Sequence, residues 1–233
     1  MTPWRRLLVP LARRWPKRQT LEQKLRAEAR TQWLDIGGID VARGFDCVGL
    51  ADPETVPHEQ RCRYVQCDVL RDETPIAARQ GHYDLVRLQH VFEHFSFEDG
   101  RDLLAVVRRL LAPGGYLLMT VPDLRAFIAG YRWGFRFAPE QTMTFQRSRI
   151  PEDAPASFRF SMYAHQYGYS RLTHNGEQHA WCYDFEGLAY QVRAVGGFDR
   201  VQRLGLFHPL ASIPFTHNRP AIEVCLLARK AAA

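Results

Sequence analysis

The alternation of apolar and polar positions between residues 83 and 123 predicts one complete β-α-β unit. Residues 83–89 form a short aliphatic run, which is typical of a strand buried on both faces. Ser96 and Asp99 then have the spacing of a helix N-terminus, and the apolar face of that helix consists of Leu103, Leu104, Val107, Leu110 and Leu111. Residues 113–115, Pro-Gly-Gly, end the helix, and residues 116–121 form a second strand. Two such strands are parallel and joined by a right-handed crossover.

Shorter apolar runs on either side of this unit extend it to a doubly wound, mostly parallel α/β sheet of seven strands. A short helix over residues 21–30 leads into the first strand. The other strands are predicted at residues 33–36, 46–50, 63–66, 201–206 and 221–228, with a further helix at residues 185–195. The last two strands are predicted to form an antiparallel pair. Since a regular crossover needs about a dozen residues, the first helix of the sheet is predicted to be abbreviated or absent.

Polar residues at the ends of two predicted strands mark the place of a ligand site. Ligands of doubly wound sheets bind beyond the carboxyl ends of the strands. One strand ends at Gln89-His90, and the next ends at Pro122-Asp123. We therefore expect the functional site at this edge of the sheet.

The residues His90, Glu93 and His94 have the H-x-x-E-H spacing of a zinc protease motif. In that motif both histidines lie on one face of a continuous helix. Here His90 ends a predicted strand, and the predicted helix begins only after Ser96. We therefore predict no zinc site from this motif and no bound metal. His94 could equally pack and hydrogen-bond within the turn.

Two blocks of sequence resemble a known family. HVFEHF at residues 90–95, followed by LLAPGGYLLMTVPD at 110–123, resembles the second half of a class I S-adenosylmethionine (SAM) dependent methyltransferase. The likeness is closest to a bacterial subgroup with HVxEH and LxPGG motifs, which is often linked to methylation of surface polysaccharides and other small molecules. WLDIGG at 33–38, CDV at 67–69 and the segment at 179–198 extend the resemblance over roughly two thirds of the chain.

The resemblance implies a Rossmann-like methyltransferase fold with SAM as the cofactor. In the family, an acidic residue before a glycine loop orients the amino-acid part of SAM, and Asp35 has that position. Gly37 and Gly38 would let the main chain approach the same group. Ile39 occupies the place of a second spaced glycine, so the loop departs from the family pattern.

The resemblance also assigns residues at the ends of the next strands. Asp68, next to Val69, resembles the residue that accepts the adenine amino group, although Asp68 could instead form a turn at the strand end. The acid that binds the ribose would fall at Gly49, and Asp52 is the nearest carboxylate. Either Asp52 reaches the ribose or that contact is lost. Gln89 and His90 complete the predicted cofactor-binding set.

The expected reaction is methyl transfer from SAM to an oxygen or nitrogen of a small-molecule or glycan-type acceptor. A hydroxyl acceptor needs a base, and a histidine suits that role near neutral pH. The candidates are His90, His94 and His179, and the sequence does not rank them. Two alternatives are an interaction protein that kept the fold but lost turnover, and an NAD-dependent oxidoreductase, which the absence of a G-x-G-x-x-G motif disfavours.

Residues 131–178 interrupt the predicted alternation of strands and helices. Long irregular insertions in compact domains are usually lids or binding loops. We expect this insertion to bind the acceptor, through side chains drawn from Tyr163, His165, Tyr167, Tyr169, His174, His179, Trp181 and Tyr183. The chain is thus divided into an N-terminal arm (1–30), a SAM-binding core (31–130), the insertion (131–178) and the C-terminal part of the core (179–233).

Charge distinguishes the arm from the rest of the chain. The net charge of the protein is +6, and residues 1–30 hold nine Lys and Arg against two Glu. On one helical face of the arm lie Trp4, Leu7, Leu8, Leu11 and Trp15. Such a segment can contact an anionic membrane surface. Alternatively, the arm docks on its own domain or on a second subunit of a homodimer. Nucleic acid is not favoured as a partner, because no base-stacking platform accompanies the charge.

Composition indicates a cytoplasmic protein, with the arm as a route to peripheral contact at the inner face of the membrane. The five cysteines have no paired metal-ligand spacing, which favours free thiols in a reducing compartment. No apolar run reaches the length of a membrane span, and arginine pairs and Pro10 interrupt any secretion signal.

Overall fold

A seven-stranded mixed sheet forms the centre of the protein. The computed structural model describes residues 19–38, 43–57, 61, 63–133, 155, 157–158, 160, 179–218 and 222–232. The elements in chain order are α1 (Leu21–Ala27), β1 (Trp33–Ile36), β2 (Phe45–Gly49), β3 (Tyr64–Gln66), α2 (Thr74–Ala77), β4 (Tyr83–Gln89), α3 (Phe97–Leu110), β5 (Leu111–Pro122), α4 (Leu124–Trp133), α5 (Phe185–Val195), β6 (Phe198–Arg203) and β7 (Glu223–Lys230).

The strand order is β3-β2-β1-β4-β5-β7-β6. Strands β1 to β5 pair in parallel, whereas β7 is antiparallel to both β5 and β6. The predicted fold class and the closing antiparallel pair are therefore confirmed. Because β1 and β4 are neighbours, the strand order reverses between them, and the ends of these two strands border the crevice in which ligands of such sheets bind.

Apolar side chains cover both faces of the sheet. On one face, α3 and α5 bury Leu103, Val107 and Leu188 against the central strands. On the other face, α1 buries Leu21 and Leu25 in a second cluster. That second cluster also contains the rings of Trp33, Phe45 and Phe215, whose centroids lie 5.3–5.7 Å apart. The sheet is thus buried on both sides, as strands with near-continuous apolar runs require.

The link between α3 and β5 differs from the prediction. Helix α3 begins at the predicted N-cap, where the Ser96 side chain accepts a hydrogen bond from the Asp99 backbone N–H. The helix ends at Leu110, and Leu111 already has an extended conformation and pairs with Tyr83. The Pro-Gly-Gly residues lie inside β5 instead of stopping the helix. A proline at 113 disfavours the helical conformation of the residue before it, which ends the helix early.

The predicted domain boundaries shift in two places. Residues 21–27 belong to the core and not to a separate arm, because Leu21 and Leu25 are fully buried. Helix α4 continues to Trp133, past the predicted start of the insertion at 131. The apolar face of the arm and most of the insertion lie outside the described residues. Only residues 37–44 join β1 to β2, which agrees with the predicted absence of a full crossover helix.

Two predictions from composition can be compared with the described residues. The cysteines at 47, 67, 182 and 225 form no disulfide among the described residues, and Cys62 lies outside this set. Within the part of the chain that the structure describes, no helix has the length and apolar character needed to cross a bilayer.

Candidate active site

The glycine loop after β1 packs against the chain that leaves β4. Gly37 has a φ of +79° and donates its N–H to the Val48 carbonyl at 2.6 Å. A Cβ on Gly37 would lie 2.5 Å from Cγ2 of Val91, and a Cβ on Gly38 would overlap the Asp35 carboxylate. Only glycine fits at both positions. Glycine at both positions therefore lets the loop pack closely against Val91 and Asp35.

Asp35 lies under this loop in an ion pair that the sequence analysis missed. It is 2 % exposed, and its register partner on β4 is Arg87. The Arg87 guanidinium donates to both carboxylate oxygens, at 3.0 and 2.7 Å, and its Cζ lies 4.2 Å from the centroid of the Phe45 ring. Asp35 is thus held in place from below by Arg87 and supports the loop. The signal in the sequence was a single arginine inside an otherwise apolar strand.

The carboxylates after β2 and β3 both make local turns. Asp52 caps the 3-10 turn Pro53–Thr55 by accepting from the Glu54 N–H. Asp68 accepts from the backbone N–H groups of Leu70 and Arg71, so the turn-forming role considered for it is real. Its second oxygen forms an ion pair with the exposed Arg71 side chain at 3.6 Å.

Two further residues of the predicted cofactor set have neighbours that limit their roles. The Val69 side chain is buried in the core, so any contact of this residue with a cofactor would use its backbone. Gln89 directs its side-chain amide toward the Pro214 carbonyl, at 3.4 Å, and not toward the glycine loop. By contrast Leu50, which the sequence analysis did not select, is 68 % exposed at the end of β2.

His90 connects the ends of two strands through its ring. The residue has a left-handed backbone, with φ 55°, and its N–H donates to the Thr120 carbonyl at 2.8 Å. Its Nε2 lies 2.9 Å from Oε2 of Glu223 on β7, and its Nδ1 lies 3.4 Å from Oε1 of Glu93. Strained non-glycine backbone of this kind is concentrated at functional sites.

The two carboxylates set the charge of the His90 ring. Burial by itself lowers the pKa of His90, but the hydrogen bonds and charges of Glu223 and Glu93 outweigh burial and raise that pKa to about 9. The ring is therefore protonated at neutral pH, and a protonated imidazole has no lone pair with which to accept a proton. This argues against His90 as the base. We assign it a positioning role between β4 and β7.

His94 and His179 lie side by side next to the same carboxylate. The 3-10 turn Phe92–His94 places Glu93 and His94 after β4, and the His94 and His179 ring centroids are 5.3 Å apart. The Glu93 carbonyl accepts from the N–H groups of Ala180 and Trp181, at 2.8 and 3.1 Å, which fixes the chain after His179. Two of the three histidines predicted as bases thus meet at one place. As predicted, the H-x-x-E-H residues do not share a helix.

The end of β5 and the aromatic candidates complete the site. Asp123 is buried, accepts from the Arg125 N–H and forms an ion pair with Arg203. Tyr183 pairs with Asp123 through a β-bridge, and its side chain is buried against Phe92, where burial raises its pKa to about 12. Tyr183 is therefore a core residue and not an acceptor contact. Trp181 is partly exposed. The predicted contacts Tyr163, His165, Tyr167, Tyr169 and His174 lie outside the described residues.

Comparison with known proteins gives the family. A family model described as a methyltransferase domain matches residues 12–197. Among curated proteins, none matches the chain in sequence. The solved structures that resemble it include the SAM-dependent methyltransferase SibL in its apo form, with a TM-score of 0.51, 15% identity and coverage of 91% of this chain and 54% of that one.

Two further solved structures resemble the chain at lower TM-scores. The CurJ carbon methyltransferase has a TM-score of 0.49 and 12% identity, with coverage of 94% of this chain and 51% of that one. A SAM-dependent methyltransferase from Thermotoga maritima has a TM-score of 0.47 and 16% identity, with coverage of 92% and 91%. The chain thus spans about half the length of SibL and of CurJ. Similarity at this identity concerns the fold alone.

The residues at the strand ends fit SAM. Gly37 and Gly38 leave main chain without side chains at the end of β1, and the Asp68 carboxylate lies just after β3, where the methionine part and the adenine amino group would bind. Leu50 offers an exposed apolar surface at the end of β2, between these two places. The family model spans well over half of the chain, and the sheet order agrees with it. This chain therefore belongs to the methyltransferase domain family, whose class I members use SAM as the methyl donor.

Proposed function

We propose that this protein transfers a methyl group from SAM to an oxygen or nitrogen of a small-molecule or glycan-type acceptor. One observation carries the proposal. Val91, which comes just before the Glu93-His94 turn, has its side chain 2.5 Å from where a Cβ on Gly37 would lie, so the turn that carries the ionisable cluster is next to the glycine loop. Bound there, SAM supplies a methyl group already activated by the sulfonium.

The histidines of this cluster have two different roles in the proposed reaction. His94 and His179 are partly buried and lie beside the Glu93 turn, where either ring can take a proton from an acceptor hydroxyl. His90, held by Glu93 and Glu223, fixes the ends of β4 and β7 relative to each other. A pre-arranged site of this kind lowers the barrier mainly by keeping donor and acceptor in reactive geometry.

Turnover with labelled SAM tests this function. The full chain is incubated with panels of sugars, phenols and amines, and label transfer is measured together with SAM affinity by calorimetry. We expect SAM binding and transfer to one class of hydroxyl or amine. His94→Asn and His179→Ala should each lower kcat about 10²–10⁴-fold with SAM affinity unchanged. The matched control is His82→Ala, which removes an exposed histidine just before β4, at the opposite end of that strand from His94.

The result also separates the alternative functions. An interaction protein that lost turnover would bind SAM without transferring label to any acceptor. The missing second spaced glycine and the absent acid at Gly49 are the features that favour this second candidate. Binding of NAD in place of SAM would contradict the proposal, and the family match disfavours it.

Contact between the N-terminal arm and a membrane remains a prediction, and it concerns where the protein is located in the cell. Residues 1–18 combine tryptophans and leucines with arginines, and both are needed for contact with an anionic surface. We propose a cytoplasmic protein that contacts the inner face of the membrane through this arm. The full chain should co-sediment with anionic vesicles, high salt should release it, and deletion of residues 1–18 should abolish binding with SAM affinity unchanged. If the deletion instead destroys a homodimer, the arm is a subunit contact.

A further inference from the structure

We propose that Glu93, His94 and His179 together bind one divalent transition-metal ion. One carboxylate oxygen and one ring nitrogen from each histidine lie within 4.8 Å of one another. In a tetrahedral site with metal bonds of about 2.0–2.2 Å the donor atoms are about 3.4 Å apart, so the side chains need to draw together only by about an ångström. This trio differs from the zinc protease motif, in which His90 would be a ligand. It also reverses the prediction of no metal made from the sequence.

The backbone holds the three side chains in place from two parts of the chain. Glu93 and His94 belong to the 3-10 turn after β4, in which the His94 N–H donates to the Val91 carbonyl at 3.0 Å. His179 is far away in sequence, but the next two residues, Ala180 and Trp181, donate their N–H groups to the Glu93 carbonyl. A site preformed by the fold loses little entropy when it takes up an ion.

The Glu93 carboxylate provides the independent sign of a ligand. The residue is 2 % exposed, and while Oε1 faces His90, the buried Oε2 has no hydrogen-bond partner among the residues that the structure describes. A buried carboxylate oxygen without a partner is costly. A bound cation would satisfy this open oxygen.

The donor set indicates the class of metal. Two imidazole nitrogens and one carboxylate oxygen suit zinc, iron, cobalt, nickel or manganese better than magnesium or calcium, which prefer oxygen donors. Three protein ligands also leave at least one coordination position for another molecule, as in catalytic metal sites. His94 and His179 are only partly buried, so that position can be reached from the crevice.

The ion site lies next to the glycine loop, and this location suggests what the ion does. The role of the ion rests on the proposed methyl transfer, whereas the binding of the ion does not. A divalent ion lowers the pKa of a hydroxyl that coordinates it. With the ion bound, His94 and His179 act as ligands in place of the base role proposed above, so the acceptor O–H bond breaks and its proton passes to water. The acceptor oxygen forms a bond to the methyl carbon as the carbon–sulfur bond of the donor breaks, and the electron pair of that bond stays on sulfur.

Metal titration of the full chain tests the proposal. Protein stripped with a chelator and dialysed is titrated with zinc and with cobalt, followed by calorimetry and by the visible absorption of cobalt. We expect one ion per chain. His179→Ala and Glu93→Gln should weaken binding at least about 10–100-fold, since changing even the residues behind metal ligands has effects of that size. His82→Ala, an exposed histidine, should leave binding unchanged.

The outcomes that overturn the proposal are equally defined. They are the absence of stoichiometric binding by the unmodified chain, or equal binding by the His179→Ala and His82→Ala proteins. Glu93→Gln alters a buried residue, so its fold is checked by thermal unfolding, and His179→Ala carries the test if that variant does not fold. SAM affinity measured on the same stripped protein separates the two proposals. SAM binding without metal binding refutes only the ion, and the reverse refutes only the methyl transfer.

Discussion

The two halves of the carboxyl edge of the sheet are built differently. On the donor side, formed by β1 to β3, each carboxylate already has a local partner: Asp35 pairs with Arg87, Asp52 caps a turn and Asp68 closes one. On the acceptor side, formed by β4, β5 and β7, ionisable side chains from separate elements meet, with His90 between Glu93 and Glu223.

This difference indicates how each half recognises its ligand. The donor half offers bare backbone and shape, which suits a cofactor that does not vary. The acceptor half offers grouped ionisable side chains, which can bind, move protons or hold an ion. Variants of the donor half should therefore change stability and SAM affinity together, and variants of His94 and His179 in the acceptor half should change turnover with SAM affinity unchanged.

The largest effect is expected at the buried ion pair of the donor half. Arg87→Met leaves the Asp35 carboxylate buried without its partner and should lower the free energy of unfolding by about 3–5 kcal/mol. Denaturant unfolding measures the loss. The double variant Asp35→Leu with Arg87→Met should recover most of it, because a buried ion pair contributes little net stability compared with apolar residues of similar volume.

The double variant also sharpens the comparison. If it folds and binds SAM as the unmodified protein does, then Asp35 acts only by supporting the loop. If it folds but does not bind SAM, the Asp35 carboxylate itself is needed by the donor. A loss below about 1 kcal/mol in Arg87→Met would contradict the view that the pair is buried and desolvated.

The junction of the two halves should give the second largest effect. Gly37→Ala combines a left-handed backbone with a Cβ 2.5 Å from Val91, so we expect a loss of about 2–4 kcal/mol and weaker SAM binding. Gly114 is the matched control, since its φ is +71° but nothing lies within 4 Å of a Cβ there. Gly114→Ala should cost about 1–2 kcal/mol and leave SAM affinity unchanged. Equal effects would mean that contact with Val91 is unimportant.

Asp68 tests the adenine end of the donor half. Asp68→Ala should weaken SAM binding by about 1–3 kcal/mol, measured by calorimetry, because it removes an acceptor for the adenine amino group. The same variant loses the turn that Asp68 forms with Leu70 and Arg71, so thermal stability is recorded in parallel. A fall in stability with SAM affinity unchanged would leave Asp68 as a turn residue alone.

The smallest effect is expected at the helix cap on the acceptor side. Asp184 caps α5, and its hydrogen bond from the Gly187 N–H, together with Arg125, lowers its pKa below 3.8. A lowered folded pKa stabilises the fold above pH 3.8, and that contribution is lost as the pH falls through the folded value. Asp184→Ala should therefore cost about 1 kcal/mol at pH 7, measured by denaturant unfolding, and progressively less below pH 3.8.

Asp184→Asn is the control for that cap. Asparagine caps helices about as well as aspartate, so it should keep most of the stability at pH 7 and lose only the ion pair with the exposed Arg125. Turnover should be unchanged in both variants. A large fall in turnover would show that the start of α5 takes part in the acceptor site.

Local sequence signals were enough to predict the helices and strands. They did not predict which side chains meet in the site, because they carry little information on strand register. The strand Tyr83–Gln89, the cap at Ser96 and the helix Phe185–Val195 follow from periodicity and capping, and the structure confirms their bounds. The partners of Asp35 and His90 could not be predicted, because they are 52 and 133 residues away. Which residues face each other across a sheet depends on register, and apolar runs do not encode register strongly.

The anchoring of the chain at the end of β5 has an evolutionary consequence. Asp123 and Tyr183 are bridged, and the Leu124 N–H donates to the Tyr183 carbonyl, so the excursion between them leaves and returns at one point. The entropy of closing a loop grows only slowly with its length. Such an excursion can be lengthened, shortened or exchanged with little effect on the sheet. Relatives that keep this anchor could therefore change their acceptor by exchanging the segment between Asp123 and Tyr183, while the donor half stays unchanged.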